Sequence, residues 1–340
     1  MHENTKLLHG GEHEIRRQTH GAVNPPVVHA SLFGFESYQE YLDLTASEEE
    51  EFIYSRVANP TVRVLEGKIA MLEQTERAIA AGSGMAAITA TLMALVRQGD
   101  HLLMVNCVYG PARTFATEVL AGYGVEVEFF APEETLDGAT LFADRFKANT
   151  RLVYLESPGS LQFAVQDFAA VAAHCRPRGI ITMTDNSWST PLYQKPHTHG
   201  IDVVVHSGTK YIAGHSDVVV GLIACSQLLY ERIKPMAVLL GATLSAADAY
   251  LVIRGLRTLA LRMEQCQAAG LQLAHWLRNR PEVVRVVHPG LDDAPHQEVI
   301  RRQQSGFSSL FGFVLQESTA EAIHAFTDAL QIFTVAISWG

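Results

Sequence analysis

Beyond Asn59 the chain alternates between two rhythms. Short apolar runs bounded by turn-forming residues are separated by longer stretches whose apolar positions recur at helical spacing. This alternation marks a mostly parallel sheet covered by helices on both faces. Strands are expected at Ala78–Ala81, His101–Asn106, Val125–Phe130, Arg151–Glu156, Ile180–Asp185, Val203–His206 and Val218–Ala224, a sheet of about seven strands in an α/β fold. Between them the pattern predicts helices over Thr61–Leu72, from Gly84 to about Val96, and over Ala112–Gly122, Leu141–Ala148 and Asp167–Cys175. Pro60 suits a first helical turn, where its missing N–H would have no partner anyway.

A long helical stretch follows from Ala246 to Asn279, and Arg254-Gly255 is a candidate bend near a domain boundary. Strands Val283–His288 and Leu310–Leu315, a helix Ala320–Leu330 and a final strand Ile332–Ser338 would begin a smaller α+β domain. An ending on an apolar strand leaves an edge uncovered, so this C-terminal domain is expected to be incomplete. Residues 1–59 lack sustained periodicity and contain Pro25, Pro26 and the acidic run Glu48–Glu51, which reads as a solvated turn. The expected division is an arm (1–59), a sheet domain (60–255) and a C-terminal domain (256–340).

Composition narrows the function classes. A length of 340 residues suggests about two domains. A formal charge of −10 disfavours nucleic acid and anionic membranes as partners and favours a small molecule. The polar N-terminus has no signal-peptide core, and the longest apolar runs are strand-sized, so a cytoplasmic location without a membrane span is expected. Cys107, Cys175, Cys225 and Cys266 sit in apolar stretches without a C-x-x-C pair and read as reduced, buried thiols. His197, His199, His206 and His215 lack the spacing of a metal site, and no metal is expected.

The chemistry concentrates at strand ends. Lys210, in His206-Ser207-Gly208-Thr209-Lys210, follows an apolar strand at the edge where open α/β sheets bind ligands and can desolvate a lysine. Ser207 and Thr209 are hydroxyl donors suited to a phosphate, although this short pattern alone equally fits an exposed loop lysine. Asp185 ends the preceding strand and could pair with a protonated pyridine nitrogen; taken singly, a turn aspartate is the commoner case. The stretch from Asp185 to Lys210 is expected to hold one helix-free excursion and one strand. Gly82-Ser83-Gly84-Met85 feeds a helix whose unpaired N–H groups form an anion site, or is simply a capped terminus. Tyr109, after another strand, could stack on a flat ring. Phosphate cradle, stacking ring, aspartate and lysine together answer four needs of one cofactor, pyridoxal 5′-phosphate.

The chain resembles the pyridoxal-phosphate enzymes of transsulfuration and methionine metabolism, and within them the bacterial cystathionine β-lyases. The resemblance rests on Tyr54-Ser55-Arg56, Asn59-Pro60-Thr61, Gly82-Ser83-Gly84-Met85-Ala86-Ala87, Val108-Tyr109-Gly110, Glu156-Ser157-Pro158-Gly159-Ser160, Thr184-Asp185-Asn186, Ser207-x-Thr209-Lys210-Tyr211, Gly214-His215, Arg254-Gly255-Leu256-Arg257-Thr258-Leu259 and Ser338-Trp339-Gly340. It implies the aspartate aminotransferase-like fold, fold type I. It implies that Lys210 forms the Schiff base and moves the substrate's protons, that Asp185 holds the pyridine nitrogen, and that Tyr109 stacks on the ring. Gly84 and Met85 N–H groups, with Ser207 and Thr209, would bind the phosphate. Tyr54 and Arg56 would reach a neighbouring subunit's site in a homotetramer, and Ser338 and Trp339 would meet substrate.

Glu156-Ser157-Pro158-Gly159-Ser160 and Trp339 resemble the β-lyase variant, which implies cleavage of cystathionine to homocysteine, pyruvate and ammonia. The family carries a later arginine that grips the substrate's α-carboxylate, and these 340 residues do not contain it. Two alternatives stay open: γ-elimination or γ-replacement on the same ring, and a non-catalytic remnant that binds the cofactor. Arg254 and Arg257 read as helix-surface or interface charges.

Overall fold

The computed structural model describes residues 2–12, 16–17, 19–45, 51–136 and 138–340; most of the acidic run Glu48–Glu51 lies outside these residues. Seven strands form the main sheet: β1 (Arg77–Ala81), β2 (His101–Val105), β3 (Glu126–Phe130), β4 (Thr150–Glu156), β5 (Ile181–Asp185), β6 (Val203–Ser207) and β7 (Gly221–Cys225). Their spatial order is β1-β7-β6-β5-β4-β2-β3. Neighbours from β3 to β6 run parallel, and β7 lies antiparallel between β6 and β1. Strand β2 is buried along its whole length because helices cover both faces, and such strands need continuous apolar sequence.

Asn59 caps the helix Pro60–Glu73 by accepting the Thr61 N–H, and Ser83 caps the helix Gly84–Leu95 by accepting the Ala86 N–H. The strand expected from Val218 begins only at Gly221. Val220 instead gives its N–H to Thr209 Oγ1 at 2.9 Å and accepts from the same hydroxyl at 3.2 Å, so it is drawn into the loop. The base of that loop is closed by the β6–β7 pair Ser207 and Gly221.

Several expected elements differ. The helix over 112–122 is an α turn (Gly110–Thr114) that widens to π geometry (Phe115–Leu120) and tightens to 3₁₀ (Ala121–Tyr123). The helix over 141–148 is only Thr140–Ala143, and Arg145 beyond it turns to Glu134 and Glu128 instead. The long helix divides into Ala246–Leu256 and Leu259–Arg278, breaking just after the Arg254-Gly255 step. A two-stranded antiparallel sheet of β8 (Val283–Val287) and β9 (Gly312–Leu315) follows, then the helix Ala320–Asp328. Residues 332–338 form no strand and pair with no described strand.

The N-terminal region carries two short helices, Glu3–His9 and Tyr38–Thr45, rather than loop throughout. It is fastened by a fully buried pair, Lys68 Nζ to Glu12 Oε1 at 2.8 Å, and Arg257 reaches the same carboxylate at 3.3 Å. Arg257 is therefore half-buried and tied inward, whereas Arg254 is exposed. Cys107, Cys175 and Cys225 are free and buried; Cys266, expected to match them, is only half-buried. Among the described residues no helix is long and apolar enough to cross a membrane.

The small sheet is joined to the large one through aromatic rings. Trp188 donates its Nε1–H to Leu310 O at 2.9 Å, and His288 packs between Trp188, Phe307 and Phe311. His288 Nδ1 accepts the Gly290 N–H at 2.9 Å, and its Nε2 lies 3.2 Å from Ser308 O. Burial pulls its pKa from 6.5 down to about 4. The unfolded chain thus binds a proton here that the folded chain refuses, so stability present at neutral pH is lost as pH falls through this window. In thermal unfolding, the advantage of the wild type over His288→Asn should shrink steadily between pH 6.5 and 4; a constant gap would contradict the assignment.

Candidate active site

Because β2, β4, β5 and β6 are parallel, their carboxyl ends share one edge, and the loops leaving them converge. After β6 the backbone turns tightly: Lys210 N–H donates to Ser207 O at 3.1 Å and Gly214 N–H to Lys210 O at 2.8 Å. Arg262, on the helix Leu259–Arg278, donates to Tyr211 O at 2.6 Å and to Gly255 O at 2.8 Å. Gly214 adopts φ +67°, and a Cβ there would stand 1.9 Å from Arg262 Nη1, so only glycine admits the guanidinium. Nothing local in the sequence marks Arg262, since a single arginine on an amphipathic helix looks like any surface charge.

The Lys210 amine contacts Ser338 Oγ and lies 5.4 Å from the centroid of the Trp339 ring. Burial lowers its pKa, and the Asp185 carboxylate opposes that shift. Asp185 is buried at the end of β5, with Oδ1 accepting the Ser187 N–H at 2.8 Å. Burial raises its pKa, opposed by the Ser187 hydrogen bond and by the charges of His206 and Lys210. Asp185 ends β5, and the Lys210 loop leaves the end of its parallel neighbour β6, so aspartate and lysine belong to the same edge of the sheet. The stretch between them is not helix-free: it contains Thr190–Tyr193 and the 3₁₀ turn Pro196–His199.

Ser207 stands against the first turn of the helix Gly84–Leu95. A Cβ on Gly84 would lie 2.9 Å from Ser207 Cβ and 3.0 Å from its Oγ. Met85 follows in the same turn. Thr209 is oriented differently from the expectation, since its hydroxyl donates to Val220 O. Tyr109 presents an exposed ring beside this edge, and its N–H donates to Glu156 Oε2 at 2.7 Å. Tyr54 and Arg56 stand apart from Lys210, lining a cleft of about 710 Å³ with Val28, Gly82, Val219 and Thr243. Arg56 donates to Val238 O at 2.9 Å, its guanidinium 5.5 Å from the Tyr54 ring centroid.

Among the described residues no cluster of three or more His, Cys, Asp or Glu forms a metal site. His206 Nε2 on β6 lies 2.6 Å from Oε1 of Glu73, the last residue of the helix Pro60–Glu73, and both side chains are buried. His215 Nδ1 lies 2.7 Å from Ala213 O, and His197 Nδ1 3.0 Å from Ile201 O.

A family model described as Cys/Met metabolism PLP-dependent enzyme matches residues 4–340. The chain belongs to this family. Among its relatives is a Rhizobium johnstonii protein, provisionally named a cystathionine beta-lyase, 40% identical over 99% of this chain and 84% of its own length. The cystathionine beta-lyase of Salmonella typhimurium is 35% identical over 99% of this chain and 85% of its own length. The L-methionine gamma-lyase of Pseudomonas putida is 36% identical over 99% and 83%. Family membership makes pyridoxal phosphate the cofactor and supports the α/β, fold type I reading of the main sheet.

The residues at this edge fit that cofactor. Asp185 presents a buried carboxyl at the end of β5, suited to accept a hydrogen bond from a ring nitrogen. The approach of Gly84 to Ser207 leaves backbone N–H groups open where a side chain would otherwise intrude. Gly84→Ala should push Ser207 aside and weaken pyridoxal phosphate binding by about tenfold or more, read by absorbance titration. An unchanged dissociation constant would remove this glycine from the cradle.

Proposed function

We propose that this protein is a carbon–sulfur lyase that cleaves cystathionine by β-elimination, consuming water and yielding homocysteine, pyruvate and ammonia. The observation that carries this reading is the Lys210 amine, lowered in pKa by burial, facing Asp185 and contacting Ser338 beside Trp339. Bound pyridoxal phosphate supplies an electron sink for the pair left when the Cα–H bond breaks. Asp185 would accept the hydrogen bond of the pyridine nitrogen and favour its protonated form. Gly84 and Met85 N–H groups, with Ser207, would receive the phosphate, and Tyr109 would cover the ring, while Thr209, its hydroxyl taken up by Val220, would shape the loop rather than bind.

Lys210 Nζ would take the Cα proton and return a proton to the departing sulfur. Its depressed pKa leaves a neutral fraction able to act as base. Ser338 orients this amine, and Trp339 narrows the space next to it. Tyr54 and Arg56, apart from Lys210 within one chain, serve the site of a neighbouring subunit, the arginine at its phosphate. This favours a homotetramer built of such dimers, with the cofactor held by 60–255 and the substrate met from 256–340. We place the enzyme in the cytoplasm and in methionine biosynthesis.

The γ-lyase relative, as similar as the β-lyase one, motivates a second reading in which the bond one carbon further along is broken. Cystathionine as substrate distinguishes them, since β-elimination releases pyruvate and γ-elimination 2-oxobutyrate. Borohydride reduction of the holoprotein followed by peptide mapping should label Lys210, and Lys210→Ala should lower turnover by about a thousandfold or more. Label on another lysine would overturn the assignment, and a labelled protein that releases no keto acid would favour a cofactor-binding remnant.

A further inference from the structure

We propose that Glu156 is a positioning residue that fixes the Tyr109 turn and keeps its own proton beside Asp185. The proposal rests on the reading of this edge as the cofactor site. Glu156 ends β4 directly beside Asp185 on β5, in the register that pairs the two residues. Both of its oxygens are engaged: Oε2 accepts the Tyr109 N–H at 2.7 Å, and Oε1 lies 2.6 Å from Ser160 Oγ. One carboxyl group thereby joins the loop after β2, which carries the stacking ring, to the segment after β4, which carries Ser160.

Two neighbouring buried carboxylates cannot both be charged cheaply. Burial, then repulsion from Asp185, pushes the Glu156 pKa up to about 8. Asp185 is the one that keeps the charge, because Lys210 and His206 both stabilise its anion. With Oε2 receiving the Tyr109 N–H, the proton on Glu156 belongs on Oε1, and the Ser160 hydroxyl, which donates to that oxygen when it is charged, rotates to accept from the carboxyl O–H. The other groups facing the pair are the Tyr154 hydroxyl, buried on the same face of β4 without a partner among the described residues, and the Cys107 thiol, held protonated by burial.

The folded chain then holds a proton at Glu156 that the unfolded chain releases near pH 4.5, so its contribution to stability declines as pH rises from there to about 8. Glu156→Gln keeps both contacts and cannot titrate; Glu156→Ala loses both. Using the full chain without cofactor, the thermal midpoint of the wild type should fall relative to Glu156→Gln as pH rises between 5 and 8. Parallel curves would overturn the proton assignment. In absorbance titrations at pH 7, Glu156→Gln should bind pyridoxal phosphate within about threefold of wild type, and Glu156→Ala about tenfold more weakly. Equal affinity of the alanine variant, or failure of the glutamine variant to rescue, would overturn the positioning role. The thermal measurement involves neither cofactor nor substrate, so it can fail while Lys210 labelling succeeds, and the reverse.

Discussion

Lys210 is held by the backbone around it more than by its own side chain, and Arg262 does most of the holding. Its guanidinium reaches from a helix of the C-terminal half to the carbonyls of Tyr211 and Gly255. Hydrogen bonds from a charged donor are stronger than neutral ones, and inside a protein they are screened little. Among the described residues no carboxylate pairs with Arg262, and burial lowers its pKa, so the carbonyl dipoles are what compensate the charge. The position of the amine, its distance from Trp339 and its exposure to the Asp185 field all follow from where that turn is fastened.

The same economy governs the acidic side of the edge. A buried charge is tolerated when it is paired or hydrogen-bonded and otherwise gives way by changing protonation. Asp185 has Ser187, His206 and Lys210 around it, whereas Glu156 has two hydrogen-bond partners and a neighbouring anion. Parallel register sets these two carboxyls side by side; loops alone would not hold them so close. Deeper in, His206 and Glu73 form another buried pair, with Asn186 Nδ2 donating to the same Glu73 oxygen at 3.0 Å.

Much of this was legible in the chain because strand ends advertise themselves. Apolar runs that stop abruptly at Asp185 or at His206-Ser207 locate the loops, and parallel topology brings those loops together without any tertiary information. Elements whose identity depends on a distant partner were harder to read. Val218–Val220 looks like strand yet is captured by Thr209, and the apolar tail around Ile332 had propensity but no strand to pair with. The roles of Arg262 and Glu156 escaped for a related reason: Tyr211 and Tyr109, whose backbones they hold, lie 51 and 47 residues away in sequence.

The closure of the lysine loop by Ser207 and Gly221 has a mechanical meaning. The two feet of the loop face each other as a single rung of one ladder, and β7 is itself clamped on its other side by β1. Slack cannot be fed in from either end without unzipping interior sheet, so the amine can swing only about its own side-chain bonds. Such a tether suits a group that must leave one carbon, visit another and come back, because the short range of its excursions keeps the return journey certain.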